Sequence, residues 1–469
     1  MTWQLRPDQL EDLSYFINNP FAINGNEPGT GKTPVECVEQ VYRWQQHQAG
    51  TIWVQPKSLL RKNLEEAMFF GEWQPDEITI IDGTPAQVEK QMEASDKVKL
   101  MGFDRFKRIM KQGGFPERFT ALAVDEFHKG FGGHESGNTG AMYEFMDKRG
   151  KFFRPMSGTI INGKLDTAYP AIRVIEPRYY GTFDAFKNHH YLLDLWTGKR
   201  TGYQNHDRLR KILERHGTHR LWKDIHGEEK KVIQIEKVEL EPEQKPLYDT
   251  FERDALLELE KFFVDGTLPG VHFARARQIM EHPNVFPDLR FPDSGMTVDI
   301  MPGKRPGKLE RLDLHLTQHA ELGTPVVVFS SMIPQQREIL ALAKSLGLRF
   351  ALITGEVEPK DRQINSKRFI AGELDGVVAS SNVSDVGWNW QFWGPNRIEV
   401  SHCIYATLPF TDGIFWQSYM RFMREARQSA LRITVLKYET RVDYRVADIV
   451  NQKSADAHLV DPNREIFHL

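Results

Sequence analysis

Cysteine is nearly absent from this chain: two thiols, Cys37 and Cys403, stand in 469 residues. Two cannot build a disulfide framework or a four-cysteine zinc site, and their scarcity fits a reducing compartment. Long apolar runs are missing as well, so no segment approaches the length of a membrane span. The opening "MTWQLRPDQLEDL" carries early acids and no apolar stretch, unlike a secretory leader. A surplus of either charge is lacking too: 61 Lys and Arg against 64 Asp and Glu leave a net −3. Any nucleic-acid surface must then be a local patch on a near-neutral body. No short-period repeat or low-complexity tail is present. What remains, 40% apolar and 27% charged residues, is an ordinary globular composition, and the length suits two to four domains.

The first third alternates short apolar runs with helical stretches. "FAIN" leads into a glycine-rich turn, "GTIWVQP" and "TALAVDE" read as buried strands, and "TPVECVEQVYRWQQHQ" and "SLLRKNLEEAMFF" as helices. Strands alternating with helices argue for a parallel sheet covered on both faces. From about 166 to 306 strand signals thin out and Lys, Arg and His accumulate; "GKRPGK" closes this stretch as a linker. The alternation then restarts with "PVVVFSS", "RFALITG", "DGVVASS" and "ALRITVLKYE". The expected architecture is α/β, with lobes at 1–165 and 307–469 and a helical, basic insert at 166–306.

Three stretches carry chemistry. "NEPGTGKTP", Asn26 to Pro34, lies between a strand and a helix and ends in Gly-Lys-Thr, although the first glycine of the usual phosphate loop is replaced by Asn26. Such a turn points backbone N–H groups at phosphate; Gly29 and Gly31 keep the backbone bare, Lys32 would reach the β- and γ-phosphates, and Thr33 would ligate Mg²⁺. "LAVDEFHKG" ends an apolar strand in Asp125, a Mg²⁺ ligand by position, and Glu126, which can orient and deprotonate water. A lone acid pair is usually a solvated strand end; paired with a phosphate loop, in the right order, it gains meaning. "QSYMRFMREAR" sets Gln417, Arg421 and Arg424 at i, i+4 and i+7, so one helix face would carry all three. Such arginines can reach a γ-phosphate from a second lobe.

Together these residues resemble a superfamily 2 helicase-type ATPase of the Swi/Snf type, in a compact prokaryotic or phage form. The loop is similar to D-E-M-G-L-G-K-T, so the missing glycine is a family trait, with Asn26 in place of the acid. "LRPDQ" resembles the family's adenine-recognition motif, "VQPKSLLRKN" motif Ia, "VDEFHKG" the D-E-A-H box, and "MSGTIING" motif III with Ile160 where proline is usual. "SSNVSDVGWNW" resembles motif V, with Asp385 replacing a glycine, and "HRLWKDI" and "RARQIMEHPNVF" resemble elements of the family's insert. The resemblance covers nearly the whole chain in order.

It implies two RecA-like lobes of the P-loop NTPase type that hydrolyse ATP between them. ATP would be held by Gln9, Glu27, Gly29, Thr30, Gly31, Lys32 and Thr33, and Mg²⁺ by Thr33 and Asp125. Lys32, Asp125, Glu126, Arg421 and Arg424 would carry hydrolysis, while His128 and Gln417 couple it to the nucleic-acid motifs. Lys57, Ser58, Thr159 and Ser381 are the implied phosphate-backbone contacts. The expected function is ATP-driven translocation on duplex DNA, or remodelling of branched DNA, by a cytoplasmic monomer in a prokaryotic or phage-infected cell. The rivals are a strand-separating DNA or RNA helicase, a nucleic-acid-binding module with weak ATPase, and a protein-remodelling ATPase.

Other residues have plainer readings. Trp388 and Trp390 could stack on bases but more often pack against a sheet. His189, His190, His206, His216, His219 and His226 lack standard zinc spacing and read as part of a basic solvated face.

Overall fold

Short β-branched runs buried on both faces need cover above and below, and the chain supplies it twice. The computed structural model describes residues 3–94, 96–158, 160–161, 164–246, 248–249, 270–287, 297–299, 301–381, 388–462 and 464–469. The first sheet runs in the order Ile78–Ile80, Val98–Met101, Gly50–Val54, Phe119–Asp125, Phe152–Met156, Ile23–Asn24 and Gly217–Thr218, all parallel. Alternate residues of its central strands enter different apolar clusters: Ile52, Val54, Leu122 and Val124 on one side, Trp53 and Ala123 on the other. That two-sided burial is why these strands read as continuous apolar runs.

The second sheet runs Lys231–Val238, Leu431–Tyr438, His402–Tyr405, Val326–Phe329, Gly376–Ala379 and Phe350–Ile353, again all parallel. Parallel strands leave their carboxyl ends on one side, the place where loops of open α/β sheets hold ligands. Asp125 closes its strand there.

The stretch between 166 and 306 is built into both sheets. Gly217–Thr218 pairs with Ile23–Asn24, and Lys231–Val238 pairs with Leu431–Tyr438 along its length. The same stretch supplies the helices Phe183–His190 and His206–Arg215 and the antiparallel hairpin Tyr191–Leu193/Arg200–Tyr203. A buried lysine anchors its far end: Lys308 Nζ lies 2.8 Å from Glu281 and 2.7 Å from Asp443. Removing either acid's partner would leave an uncompensated buried charge.

The lobes touch at several points. Arg464 pairs with Asp412 at 2.5 Å and reaches the Ile161 carbonyl at 3.3 Å, and His219 pairs with Asp461 at 3.0 Å.

The expected continuous helix through Gln417, Arg421 and Arg424 is interrupted. The α-helix Asp412–Tyr419 tightens into a 3₁₀ turn at Met420–Phe422, and Met423 adopts φ −125° and ψ 76°, so Arg424 lies beyond the helix. The reason is local: the Gln391 side-chain carbonyl accepts the backbone N–H groups of Arg424 and Glu425, both at 2.8 Å, and redirects the chain.

Candidate active site

The phosphate-type loop follows the Ile23–Asn24 strand and feeds the helix Lys32–His47. Gly29 and Gly31 have φ of 86° and 91°, the left-handed region that glycine enters without cost. A Cβ at 31 would also stand 2.2 Å from Gln9 Nε2, so the Gln9 side chain would have to move aside. Gln9 Nε2 donates to the Gly31 carbonyl at 3.2 Å, and the Arg6 guanidinium donates to the Thr30 carbonyl at 2.6 Å. Thr30 Oγ1 donates to the Glu27 carbonyl at 2.7 Å, and Lys32 Nζ to the carbonyls of Asn26 (2.6 Å) and Glu27 (3.1 Å). Burial pushes the Lys32 ammonium pKa below its ordinary value, against the opposing pull of Glu126 and Asp125.

Asn26 and Glu27 have structural partners. Asn26 Nδ2 donates to Asp12 Oδ2 at 2.7 Å, while its Oδ1 accepts the Arg220 N–H at 2.8 Å. Glu27 Oε2 accepts the Trp222 N–H at 2.6 Å; burial raises the Glu27 pKa despite that bond. The Trp222 indole lies against Gly29, where a Cβ would meet it at 3.0 Å. The loop's first two residues thus clamp the edge segment that runs on from Gly217–Thr218.

Facing the loop, Glu126 N–H donates to Asp125 Oδ1 at 3.0 Å, and Asn63 Nδ2 to Asp125 Oδ2 at 3.3 Å. Burial, then the neighbouring Glu126 charge, raises the Asp125 pKa. Burial opposes Glu126 ionisation as well, but Lys129, His128, Lys32 and Arg421 outweigh it and hold its pKa down. Glu126 sits at φ 50°, a strained backbone for a non-glycine residue, and its buried Oε2 has no hydrogen-bond partner among the described residues. His128 Nδ1 stands 2.8 Å from Ser157 Oγ and 3.6 Å from Glu126 Oε2.

The second lobe closes the cleft. Gly29, Gly31, Lys32, Thr33, Asp125 and Glu126 from the first lobe and Gln417, Arg421 and Arg424 from the second line one cavity of about 310 Å³. Burial lowers the Arg424 pKa while Glu126 and Glu66 oppose it. The guanidinium of Arg421 lies 5.8 and 5.9 Å from the ring centres of Trp388 and Trp390. Those two indoles are buried and stacked at 5.1 Å, and Trp390 Nε1 donates to Ser366 Oγ at 2.9 Å; they support the arginine rather than face solvent.

Sequence reasoning missed Asn63, Glu66, Gly158 and Ser157 at this site, and Arg6 and Trp222 behind it. All but Glu66 lay within recognised stretches (Arg6 in "LRPDQ", Asn63 in "VQPKSLLRKN", Ser157 and Gly158 in "MSGTIING", Trp222 in "HRLWKDI"), but nothing in those stretches signalled these contacts.

A second groove crosses the lobes. Lys57 and Ser58 line it with Phe103, Lys129, Pro359 and Arg362, and it extends along Arg61, Lys360 and Gln363. Lys129, Lys360 and Arg362 are cations that sequence reasoning did not single out. Ser381 is only 2% exposed, and its hydroxyl has no partner among the described residues. Thr159 and Asp385 lie outside the described residues; Ile160 is buried.

Of the histidines expected on a solvated basic face, His190, His216, His219 and His226 are instead engaged by partners. His190 is buried between Tyr180 (2.6 Å) and the Gln204 carbonyl (3.1 Å), and burial drops its pKa to about 4. His216 meets Glu176 at 2.6 Å, and His226 meets the Gly29 carbonyl at 3.3 Å.

No family model matches the sequence. No curated protein matches it either. Among solved structures the chain is similar to Saccharomyces cerevisiae Dbp5 bound to RNA and ADP BeF3, with a TM-score of 0.56 and 11% identity over 97% of this chain and 88% of that one. The fold is that of the two-lobe RecA-like helicase cores. A Sulfolobus solfataricus SWI2/SNF2 ATPase core in complex with dsDNA also matches, with a TM-score of 0.44 and 16% identity over 93% of this chain and 88% of that one.

Proposed function

We propose that the protein is a nucleic-acid-dependent ATPase that translocates on duplex DNA or remodels branched DNA. The observation that carries this reading is the meeting of Lys32, Asp125 and Glu126 with Gln417, Arg421 and Arg424 in one inter-lobe cleft. The donor set suits a nucleoside triphosphate with Mg²⁺: bare glycine backbone, the Lys32 ammonium, the Asp125 carboxylate lining the same cavity as Thr33, and a buried Glu126 oxygen with no hydrogen-bond partner among the described residues. Gln9, Glu27 and Thr30 shape the loop around that site.

Thr33 and Asp125 would hold Mg²⁺, which supplies charge neutralisation on the β- and γ-oxygens. Lys32 would exchange its present contacts with the loop carbonyls for phosphate oxygens. Glu126, held ionised by the surrounding cations, would orient a water and take its proton. Arg421 and Arg424 would stabilise charge developing on the transferred group, and Gln417 would report its presence to the second lobe. His128, bonded to Ser157, would pass that state to the loop beyond Ser157. Lys57, Ser58, Lys129 and Arg362 would grip the phosphate backbone, so binding is sequence-tolerant and salt-sensitive.

The functional division follows the lobes, 1–165 and 307–469, with 166–306 bridging them. Among the described residues no helix is long and apolar enough to cross a membrane. The reading is tested by nucleic-acid-stimulated ATPase in Lys32→Ala and Glu126→Gln variants, across single-stranded, duplex, forked and four-way DNA and RNA. Hydrolysis that survives either change overturns it. Triplex displacement without duplex unwinding would separate a translocase from a strand-parting helicase.

A further inference from the structure

The two lobes also meet behind the cleft, and one contact there runs through an imidazole. Residues 218–220 lie along the root of the phosphate-type loop. The Gly25 N–H donates to the Thr218 carbonyl and the Glu27 N–H to the Arg220 carbonyl, both at 2.9 Å, while Asn26 Oδ1 accepts the Arg220 N–H at 2.8 Å. His219 sits in the middle of this lacing. Its Nδ1 lies 3.1 Å from the Gly25 carbonyl oxygen. Its Nε2 lies 3.0 Å from Asp461 Oδ2, just past the second lobe's last helix, Arg441–Val460.

A carbonyl and a carboxylate both accept. A neutral imidazole has a single N–H and would set its bare nitrogen against one of these oxygens. Only the imidazolium, which donates from both nitrogens, satisfies the pair. Burial pulls the His219 pKa down, but Asp461, Glu27 and the Gly25 carbonyl outweigh it and raise it above the ordinary 6.5. The side chain is 34% exposed, so protons from solvent reach it. The other charged groups around the ring come from three elements: Glu27 from the loop, Arg210 and Glu214 from the helix His206–Arg215, and Arg464 from the segment of Asp461. Arg210 is paired with Asp207, and Arg464 with Asp412. Of these side-chain types only imidazole ordinarily changes charge through the neutral range.

We propose that His219 is a positioning residue for the nucleotide cleft: its charged ring latches the second lobe to the root of the phosphate-type loop, and loss of the proton releases it. The inference rests on the preceding reading of the cleft as an ATP site. Both lobes line that cleft, so a latch behind it favours the arrangement that captures nucleotide. An imidazole whose pKa its partners raise contributes fully below pH 6.5, and the contribution is lost as pH climbs through the raised value. The latch is therefore made in mildly acidic solution and undone in alkaline solution.

The test uses the full chain, with isotope-labelled histidine for NMR and with steady-state ATPase. The His219 ring signal, assigned by its loss in His219→Gln, should titrate above 6.5 and move down in Asp461→Asn. Between pH 6.5 and about 8.5 the ATP KM of the parent should rise roughly twofold to fivefold more than that of His219→Gln, with kcat changed less. His219→Arg keeps a cation at every pH and should hold the low KM throughout. Asp125 and the nucleotide titrate too, but alike in parent and variants, so the difference isolates the ring. A His219 that titrates at or below 6.5, or that ignores Asp461→Asn, would overturn the latch. Parallel KM profiles in parent and His219→Gln would do the same, as would a His219→Arg profile that matches His219→Gln. A parent with the raised titration but no ATP hydrolysis would overturn the ATP-site reading and the positioning role with it. An active parent whose KM profile matches His219→Gln overturns the latch alone.

Discussion

Asn26 Nδ2 donates to Asp12 Oδ2 across 2.7 Å, joining the first residue of the phosphate-type loop to the first helix of the chain. Burial raises the Asp12 pKa, and Arg220 and Asn26 counter it. An acid at position 26 would set two carboxylates face to face. Asn26→Asp should therefore destabilise the protein by about 1–3 kcal/mol, read as a lower urea midpoint. Asp12→Asn in the same chain should recover part of the loss. A single Asn26→Asp variant as stable as the parent would refute this account of the residue.

Arg421 and Arg424 reach the cleft from beyond a broken helix end. Arg421→Ala should lower kcat by roughly a thousandfold while nucleotide binding changes little. Gln391→Ala, which removes a side chain hydrogen-bonded to the backbone of Arg424 and Glu425, should lower kcat by a smaller factor, measured by steady-state ATPase. A wild-type rate in Gln391→Ala would show that the break does not position Arg424.

Ser157→Ala removes the hydroxyl bonded to His128. The loss of one such bond should cut nucleic-acid-stimulated ATPase roughly threefold to tenfold, with a smaller change in the unstimulated rate. Equal falls in both rates would place Ser157 in hydrolysis rather than in coupling.

Three buried histidines set a pH limit on stability. Burial, joined by Arg432, pushes His402 down to about 2; burial holds His319 and His282 down at about 4. An unfolded histidine titrates near 6.5. Below that pH the unfolded chain takes up protons that the folded chain refuses, so these groups' stability contribution is full above pH 6.5 and falls as pH drops toward 4. The urea midpoint should be lower at pH 5 than at pH 7.5. A midpoint that rises between those values on acidification would contradict the assignment.

Lys57→Ala should weaken duplex binding across sequences alike and reduce the log–log salt slope by about one. Titrations at several salt concentrations read this directly.

Much of the architecture was legible because both sheets are parallel and doubly covered, so runs such as "TIWV" and "VVVF" announce themselves. The cleft residues were legible because phosphate chemistry restricts residue type and spacing. The break before Arg424 was hidden, because the cause is Gln391, thirty-three positions away. The strand Gly217–Thr218 was hidden because two residues carry no period. The histidines misled because a His beside Lys and Arg in sequence can turn inward, as His190 does toward Tyr180.

Twelve residues separate Thr218 in the first sheet from Lys231 in the second, and within the first third of that segment Trp222 rests on Gly29 while its N–H is held by Glu27. A tether this short, fastened near its start to the phosphate-type loop, leaves little slack. Any swing of one lobe against the other must strain that fastening or move the loop with it. The angle between the lobes and the shape of the phosphate-type loop are thus mechanically one variable, and a fragment cut at residue 165 would lose the tether, the sheet's edge strand and the loop's backing together.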